Sequence, residues 1–142
     1  MLNERTEFIM KKLIGIIIGI IAACVVTYFG FSFYLSQLTS EIVNSSWKHD
    51  EKLPDAYVGV ISQDQYEQMD WIKKVDVSKI TATQSNLSYP YTVWMFNTAT
   101  TTYSYSINDT SGEALYGCDN IKCTIDWEFK DGKWVVVNFT EE

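Results

Sequence analysis

Between Leu13 and Leu35 the chain runs LIGIIIGIIAACVVTYFGFSFYL, 23 residues without a charge. As a helix this stretch extends about 34 Å, enough for a hydrocarbon core of roughly 30 Å. A buried helix of a soluble protein is seldom so long and so uniformly apolar. The segment is therefore read as a transmembrane helix acting as a signal anchor. Tyr28 and Tyr34 lie toward its C-terminal end, where interfacial aromatics gather. Gly15 and Gly19 make a small-xxx-small pair that opens a homodimer contact between two such helices. Lys11 and Lys12 abut the N-terminal side, whereas the other side meets Glu41 before its first lysine, Lys48. The positive-inside rule then leaves the N-terminus in the cytoplasm of a single-pass cell-membrane protein. The expected division is a cytoplasmic tail (1–12), the span (13–35), a stalk or linker (36–54) and an extracytoplasmic domain (55–142).

A second reading of the same stretch stays open. Met10-Lys11-Lys12, an apolar run and then Ile21-Ala22-Ala23-Cys24 resembles a bacterial lipoprotein signal, with Cys24 as the lipidated residue. Against it, the chain continues as Val25-Val26-Thr27-Tyr28-Phe29 where such proteins turn polar. The apolar run also exceeds the roughly 7–15 residues of a secretory signal core. Met10 looks a more natural start than Met1, because MKK before an apolar run is a common opening of bacterial exported proteins.

Charge narrows the partners. Residues 36–142 hold 8 Lys and no Arg against 16 Asp+Glu, a net of −8. Such a domain repels phosphate backbones and shows no basic stripe, so nucleic acid is not an expected partner. Cys118 and Cys123 are the only cysteines outside the apolar run. In an exported domain that pair favours a disulfide, with two free thiols as the alternative. One histidine, His49, and no second cysteine pair speak against structural zinc, and no metal or cofactor is expected. Asn-x-Ser/Thr sequons begin at Asn44, Asn86, Asn108 and Asn138, and would matter only in a eukaryotic secretory protein.

Beyond the span, Leu38, Ile42 and Val43 keep helical spacing, so Ser36–Trp47 either prolongs the membrane helix or forms a stalk. Ser62 and Gln65 fit a capping box opening a short helix with a Tyr66, Met69, Ile72 stripe and Lys73 and Lys74 at its end. From Val75 the period becomes two. Strands are expected at 75–83, at 91–98 with both faces apolar, and at 102–107, with a loop between Asn108 and Gly117. Cys123, Ile125, Trp127 and Phe129 alternate with polar residues up to Asp131-Gly132, and Lys133–Phe139 returns. Asp-Gly is a two-residue hairpin turn, because Gly readily takes the positive φ required there. It pairs Phe129 with Trp134, Trp127 with Val136, Glu128 with Val135 and Asp126 with Val137. The last strand, apolar on both faces, is expected inside the sheet.

These elements make an α+β domain: an N-terminal transmembrane helix, then a short helix or helices packed on a curved antiparallel sheet of about four strands. The hairpin Trp127-Glu128-Phe129-Lys130-Asp131-Gly132-Lys133-Trp134 is similar to the ends of nuclear-transport-factor-like and cystatin-like domains. The resemblance implies a small membrane-tethered extracytoplasmic module of bacteria. The helical part before Val75 looks short for that fold.

Little catalytic chemistry is visible. A nucleophile needs a base beside it, and His49 sits in a polar linker, where a solvated imidazole is expected. Asp126 and Glu128 share a strand face with Thr124 and Lys130, which reads as a wet face. Asp119 and Asn120 lack the repeated acidic spacing of a calcium loop. A candidate binding surface remains: Tyr89, Tyr91, Trp94, Tyr103, Tyr105 and Tyr116 lie among Ser and Thr, and Tyr and Trp are favoured at interfaces. The competing reading makes most of them core. The preferred function is a non-enzymatic, membrane-anchored module that binds a protein at the cell surface. Its settings would be an envelope or transfer machine, or a phage- or plasmid-encoded exclusion factor. The alternative is a small lipoprotein that binds a ligand, or acts as a hydrolase, through the cone-shaped cavity of the resembled fold.

Overall fold

A computed structural model describes residues 4–50, 52–74, 83–115 and 119–142. No proline precedes Pro54, so nothing interrupts the helix that the apolar run begins. That helix, α1, spans Glu4–Ser46. The chain divides into two compact units, one ending at Phe31 and the other running Ser32–Glu142.

In the first unit α1 is long and apolar enough to cross a membrane, with a mean hydropathy of 2.5 over its most apolar window and none of that window buried. The Thr27 hydroxyl donates to the Ala23 carbonyl at 2.8 Å, so it is satisfied inside the helix. A Cβ added at Gly15 or Gly19 would meet nothing within 4 Å, so the small-residue face is open.

In the second unit the last turns of α1 are buried along one stripe: Leu35, Ser36, Thr39, Ile42, Val43 and Ser46. The segment expected to be stalk or helix extension is thus helix to Ser46, and its apolar stripe joins the domain core. The capping box opens the short helix α2 (Gln63–Gln68). Ser62 Oγ accepts the Gln65 N–H at 3.2 Å, and Gln65 Oε1 accepts the Ser62 N–H at 3.2 Å. Tyr66 and Met69 are buried and Ile72 is half-buried, as the stripe predicts. Trp71–Lys74 is a 3-10 turn.

Among the described residues five antiparallel strands follow: β1 (Thr83–Leu87), β2 (Tyr91–Met95), β3 (Thr98–Asp109), β4 (Ile121–Lys130) and β5 (Lys133–Glu141). The domain is α+β. The order is β1-β3-β4-β5, and β2 pairs with the part of β3 that β1 leaves free. The strand expected at 75–83 lies outside the described residues except for Thr83, which opens β1.

Three corrections to the sequence reading have local causes. The apolar run 91–98 is not one strand: the chain reverses at Phe96-Asn97, with Met95 opposite Thr98. Phe96 has φ 56°, a conformation in which glycine is the usual residue, so the turn carried no sequence signal. In the last hairpin Asp131 and Gly132 have φ 51° and 81°, and the pairs Phe129–Trp134, Glu128–Val135 and Trp127–Val136 form as expected. A bulge beside Asp126 then shifts the register, and Asp126 pairs with Asn138 in place of Val137. Finally, β5 ends the sheet order. A coil segment partly covers its outer edge, the Val136 N–H donating to the Val60 carbonyl at 2.7 Å. Its apolar residues do not require strands on both sides, because Val137 stands exposed at the bulge.

Helix and sheet are joined by a buried polar chain. Ser36 Oγ lies 2.8 Å from Thr92 Oγ1, and Thr92 Oγ1 lies 2.8 Å from Thr101 Oγ1. The Trp127 Nε1–H donates to Thr101 Oγ1 at 2.9 Å. Around it Leu35, Ile42, Val43, Tyr103, Tyr105, Ile125 and Trp127 form the core.

Candidate binding surface

The tyrosines singled out by sequence separate by strand parity. In β3, Tyr103 and Tyr105 are buried with Ile107, while Thr102, Ser104 and Ser106 face outward. Tyr103 and Tyr105 are therefore core, not binding surface. Trp94 is half-buried, and its Nε1–H donates to the Phe96 carbonyl at 2.6 Å. Tyr116 lies outside the described residues.

Tyr89 and Tyr91 behave differently. After β1 the chain bends at Ser88–Pro90. The Ser88 N–H donates to the Ser104 carbonyl, and the Ser104 N–H donates to Ser88 Oγ, both at 2.8 Å. This local clamp, with Pro90 buried, leaves Tyr89 62% and Tyr91 66% exposed. The two rings border an open groove of about 380 Å³ with Ser88, Thr102, Ser104 and Lys122. Along β2 the outward face continues through Val93 and Met95 to the Phe96 turn, all exposed. Residues 87–108 carry no charge in an otherwise acidic domain. Sequence reasoning missed Val93, Met95 and Phe96, because a run apolar on both faces does not show which face is covered. The absence of charge over 87–108 was the available signal.

The acidic residues of the outer face are engaged. Asp126 accepts from Thr100 Oγ1 at 3.0 Å and from Asn138 Nδ2 at 3.1 Å, and Glu128 pairs with Lys130 at 2.7 Å. In the 118–123 loop, Asn120 donates its N–H to Ser106 Oγ at 2.8 Å. Among the described residues no group of three His, Cys, Asp or Glu side chains comes together.

His49 differs from expectation. Its Nδ1 lies 2.7 Å from Oδ1 of Asp70, a buried carboxylate that also accepts the Ile72 N–H at 3.1 Å. Its ring meets Trp71 edge-on at 5.2 Å. A paired, half-buried imidazole replaces the solvated one, and it ties the linker to the turn after α2. The neighbouring hydroxyls are engaged elsewhere: Ser46 Oγ donates to the Val43 carbonyl and Ser45 Oγ pairs with Tyr66 Oη.

Cys123 is a free, buried thiol on the core face of β4, with Sγ 3.9 Å from Glu141 Oε2. Cys118, its expected disulfide partner, lies outside the described residues. Burial, aided by the Glu141 carboxylate, pushes the Cys123 thiol from 9.0 up to about 12, although a hydrogen bond from Tyr103 acts the other way. The expected result is no alkylation of Cys123 at pH 8 in the folded chain and complete alkylation in denaturant, read by mass spectrometry. Because the folded state holds this proton more tightly, its contribution to stability is whole below pH 9 and is lost as pH rises toward 12. Rapid labelling of Cys123 in the native chain at pH 8 would contradict this placement.

Compared with protein-family models and with curated proteins, the chain matches none.

Proposed function

We propose that this chain is a single-pass cell-membrane protein, N-terminus inward. In this reading its extracytoplasmic sheet domain binds a protein partner and catalyses nothing. The observation that carries the proposal is the Tyr89–Tyr91 pair, exposed on a stretch of chain (87–108) that holds no charge and continued by Val93 and Met95. Large rings with polar tips on a rigid strand are favoured at interfaces. A contiguous exposed apolar stripe of this kind commonly marks one. The helix-covered face of the sheet is filled by Leu35, Ile42, Val43, Ile125 and Trp127, which weighs against a cone-shaped ligand cavity there.

The anchor reading is supported by Lys11 and Lys12 on one flank and by helix that continues through Cys24 to Ser46. An intact anchor is accordingly preferred to a lipidated Cys24. The long helix and antiparallel sheet keep the resemblance to cystatin-like modules as a proposal. The settings that suit such a protein are an envelope or transfer machine, or a phage- or plasmid-encoded exclusion factor. A homodimer through Gly15 and Gly19 is proposed on the open face of the helix alone.

A photo-crosslinking amino acid at Tyr91 of the full chain, expressed in cells, tests the proposal. The expected outcome is a discrete adduct with another protein that is absent when the probe stands at Thr110, an exposed position at the other end of β3. Equal, diffuse adducts from both positions would refute it, as would loss of residues 36–142 only after cell lysis in a protease-shaving experiment.

A further inference from the structure

The groove bordered by Tyr89 and Tyr91 lies wholly within the second unit, Ser32–Glu142. It crosses the outer face of the sheet from β2 over β3 to β4, with Tyr91 opposite Thr102 and Thr102 opposite Thr124. Two strand spacings make this crossing about 10 Å. Its wall is tall and its floor low, because two tyrosine rings stand beside the short side chains of Thr102, Ser104 and Thr124. Among the described residues, the hydroxyls of Tyr89, Tyr91, Thr102 and Thr124 and the Lys122 ammonium enter no hydrogen bond within the chain. Lys122 and Glu142, backbone partners at the far end, carry opposite charges, and the tyrosine wall carries none. The groove is thus neutral within an acidic domain, and it sets hydroxyl and ammonium donors beside apolar rings.

Three shapes of protein segment compete for such a groove. A β-strand would need the open edge of β2, but Thr92 at the middle of that strand is 2% exposed, backbone included. A helix binds by an apolar stripe and keeps its carbonyls inside its own ladder, so a floor of hydroxyls serves it poorly. A polyproline II segment has no internal hydrogen bonds, and its carbonyls stand open to side-chain donors. Its proline rings are apolar and uncharged and pack against aromatic walls. One turn of three residues advances about 9 Å, which matches the crossing from Tyr91 to Thr124. Its stiffness keeps the ordering cost of binding low.

We infer that this groove takes an extended, proline-rich segment of the partner protein. Prolines of the segment rest against Tyr89 and Tyr91, and the carbonyls of its next turn accept from Thr102, Thr124 and Lys122. The inference rests on the reading of Tyr89 and Tyr91 as a protein-binding surface. This sequence holds two prolines, Pro54 and Pro90, and Pro90 is buried, so neither this chain nor a second copy supplies the segment. A neutral, uncharged segment also escapes the repulsion that an acidic one would meet from the rest of the domain.

Random dodecapeptides displayed on phage are panned against the full chain in lipid nanodiscs, with the Tyr91→Ala chain as the counter-selection. Peptides kept by the first and rejected by the second are expected to be rich in proline at short, regular spacing. A synthetic copy of the most enriched peptide should lose more than about tenfold in affinity on Tyr89→Ala or Tyr91→Ala in the chain. Replacing its prolines by alanine should cost as much, and Thr110→Ala, at an exposed position away from the groove, should cost nothing. Urea midpoints of the tyrosine variants should match that of the parent, since both rings are exposed. A midpoint that falls together with the affinity would make the rings part of the fold and overturn the inference. Tyrosine-dependent peptides without proline would overturn it too, while leaving the protein-binding reading in place. If no peptide told the two chains apart the inference would fall, and the adduct at Tyr91 in cells would decide the broader reading by itself.

Discussion

A chain beginning at Trp47 is expected not to fold, whereas one beginning at Ser32 is expected to unfold cooperatively. The deletion removes Leu35, Ile42 and Val43, all buried without remainder in the core. Burying one such aliphatic side chain contributes about 1.5–3 kcal/mol. The loss of three is thus about 5–9 kcal/mol, against a total stability of about 5–15 kcal/mol for an ordinary domain. Ser36, the partner of Thr92, goes with them. Far-UV circular dichroism and urea titration of the two fragments make the comparison. If the shorter fragment unfolded with the midpoint of the longer one, the end of α1 would be a mere stalk.

Thr101→Val should be damaging although it leaves the core's volume unchanged, costing about 1–3 kcal/mol. Its hydroxyl accepts the Trp127 indole N–H and pairs with Thr92, and nothing near it is open to water. Replacing it strands the buried indole N–H, a loss of about 1–3 kcal/mol for a group left without a partner, while Thr92 keeps its bond to Ser36. Trp127→Phe removes the indole donor at the cost of a cavity. The double substitution should therefore cost less than the sum of the two, by about 0.5–3 kcal/mol. Urea midpoints of the single and double variants supply the cycle. Strict additivity would mean that the indole and the hydroxyl do not depend on each other.

Much of the fold was legible because local chemistry encodes it. The capping box at Ser62 and Gln65 and the turn at Asp131-Gly132 are satisfied within a few residues of chain, and both formed as read. Strand parity in Tyr103, Tyr105 and Ile107 was equally plain. That parity also decided against two candidate site residues, since the rings that alternate most cleanly are the ones a core consumes. What stayed hidden had no local signature. Phe96 turns the chain where glycine is usual, and the bulge at Asp126 moves Val137 out of register. His49 finds Asp70 only because the linker folds back on the turn after α2.

The membrane-length apolar run, the acidic balance beyond it and the turn and first pairs of the final hairpin were determined by sequence alone, since each depends on composition or on contacts between near neighbours. The tertiary structure decided where the apolar run joins the core. Leu35 closes that run yet lies wholly inside the domain, because its partners come from strands far along the chain. It likewise decided which tyrosines face out, since Tyr89 and Tyr91 are set by the Ser88–Ser104 clamp between two strands. Long-range packing, unlike a cap or a turn, leaves no mark in any short stretch of sequence.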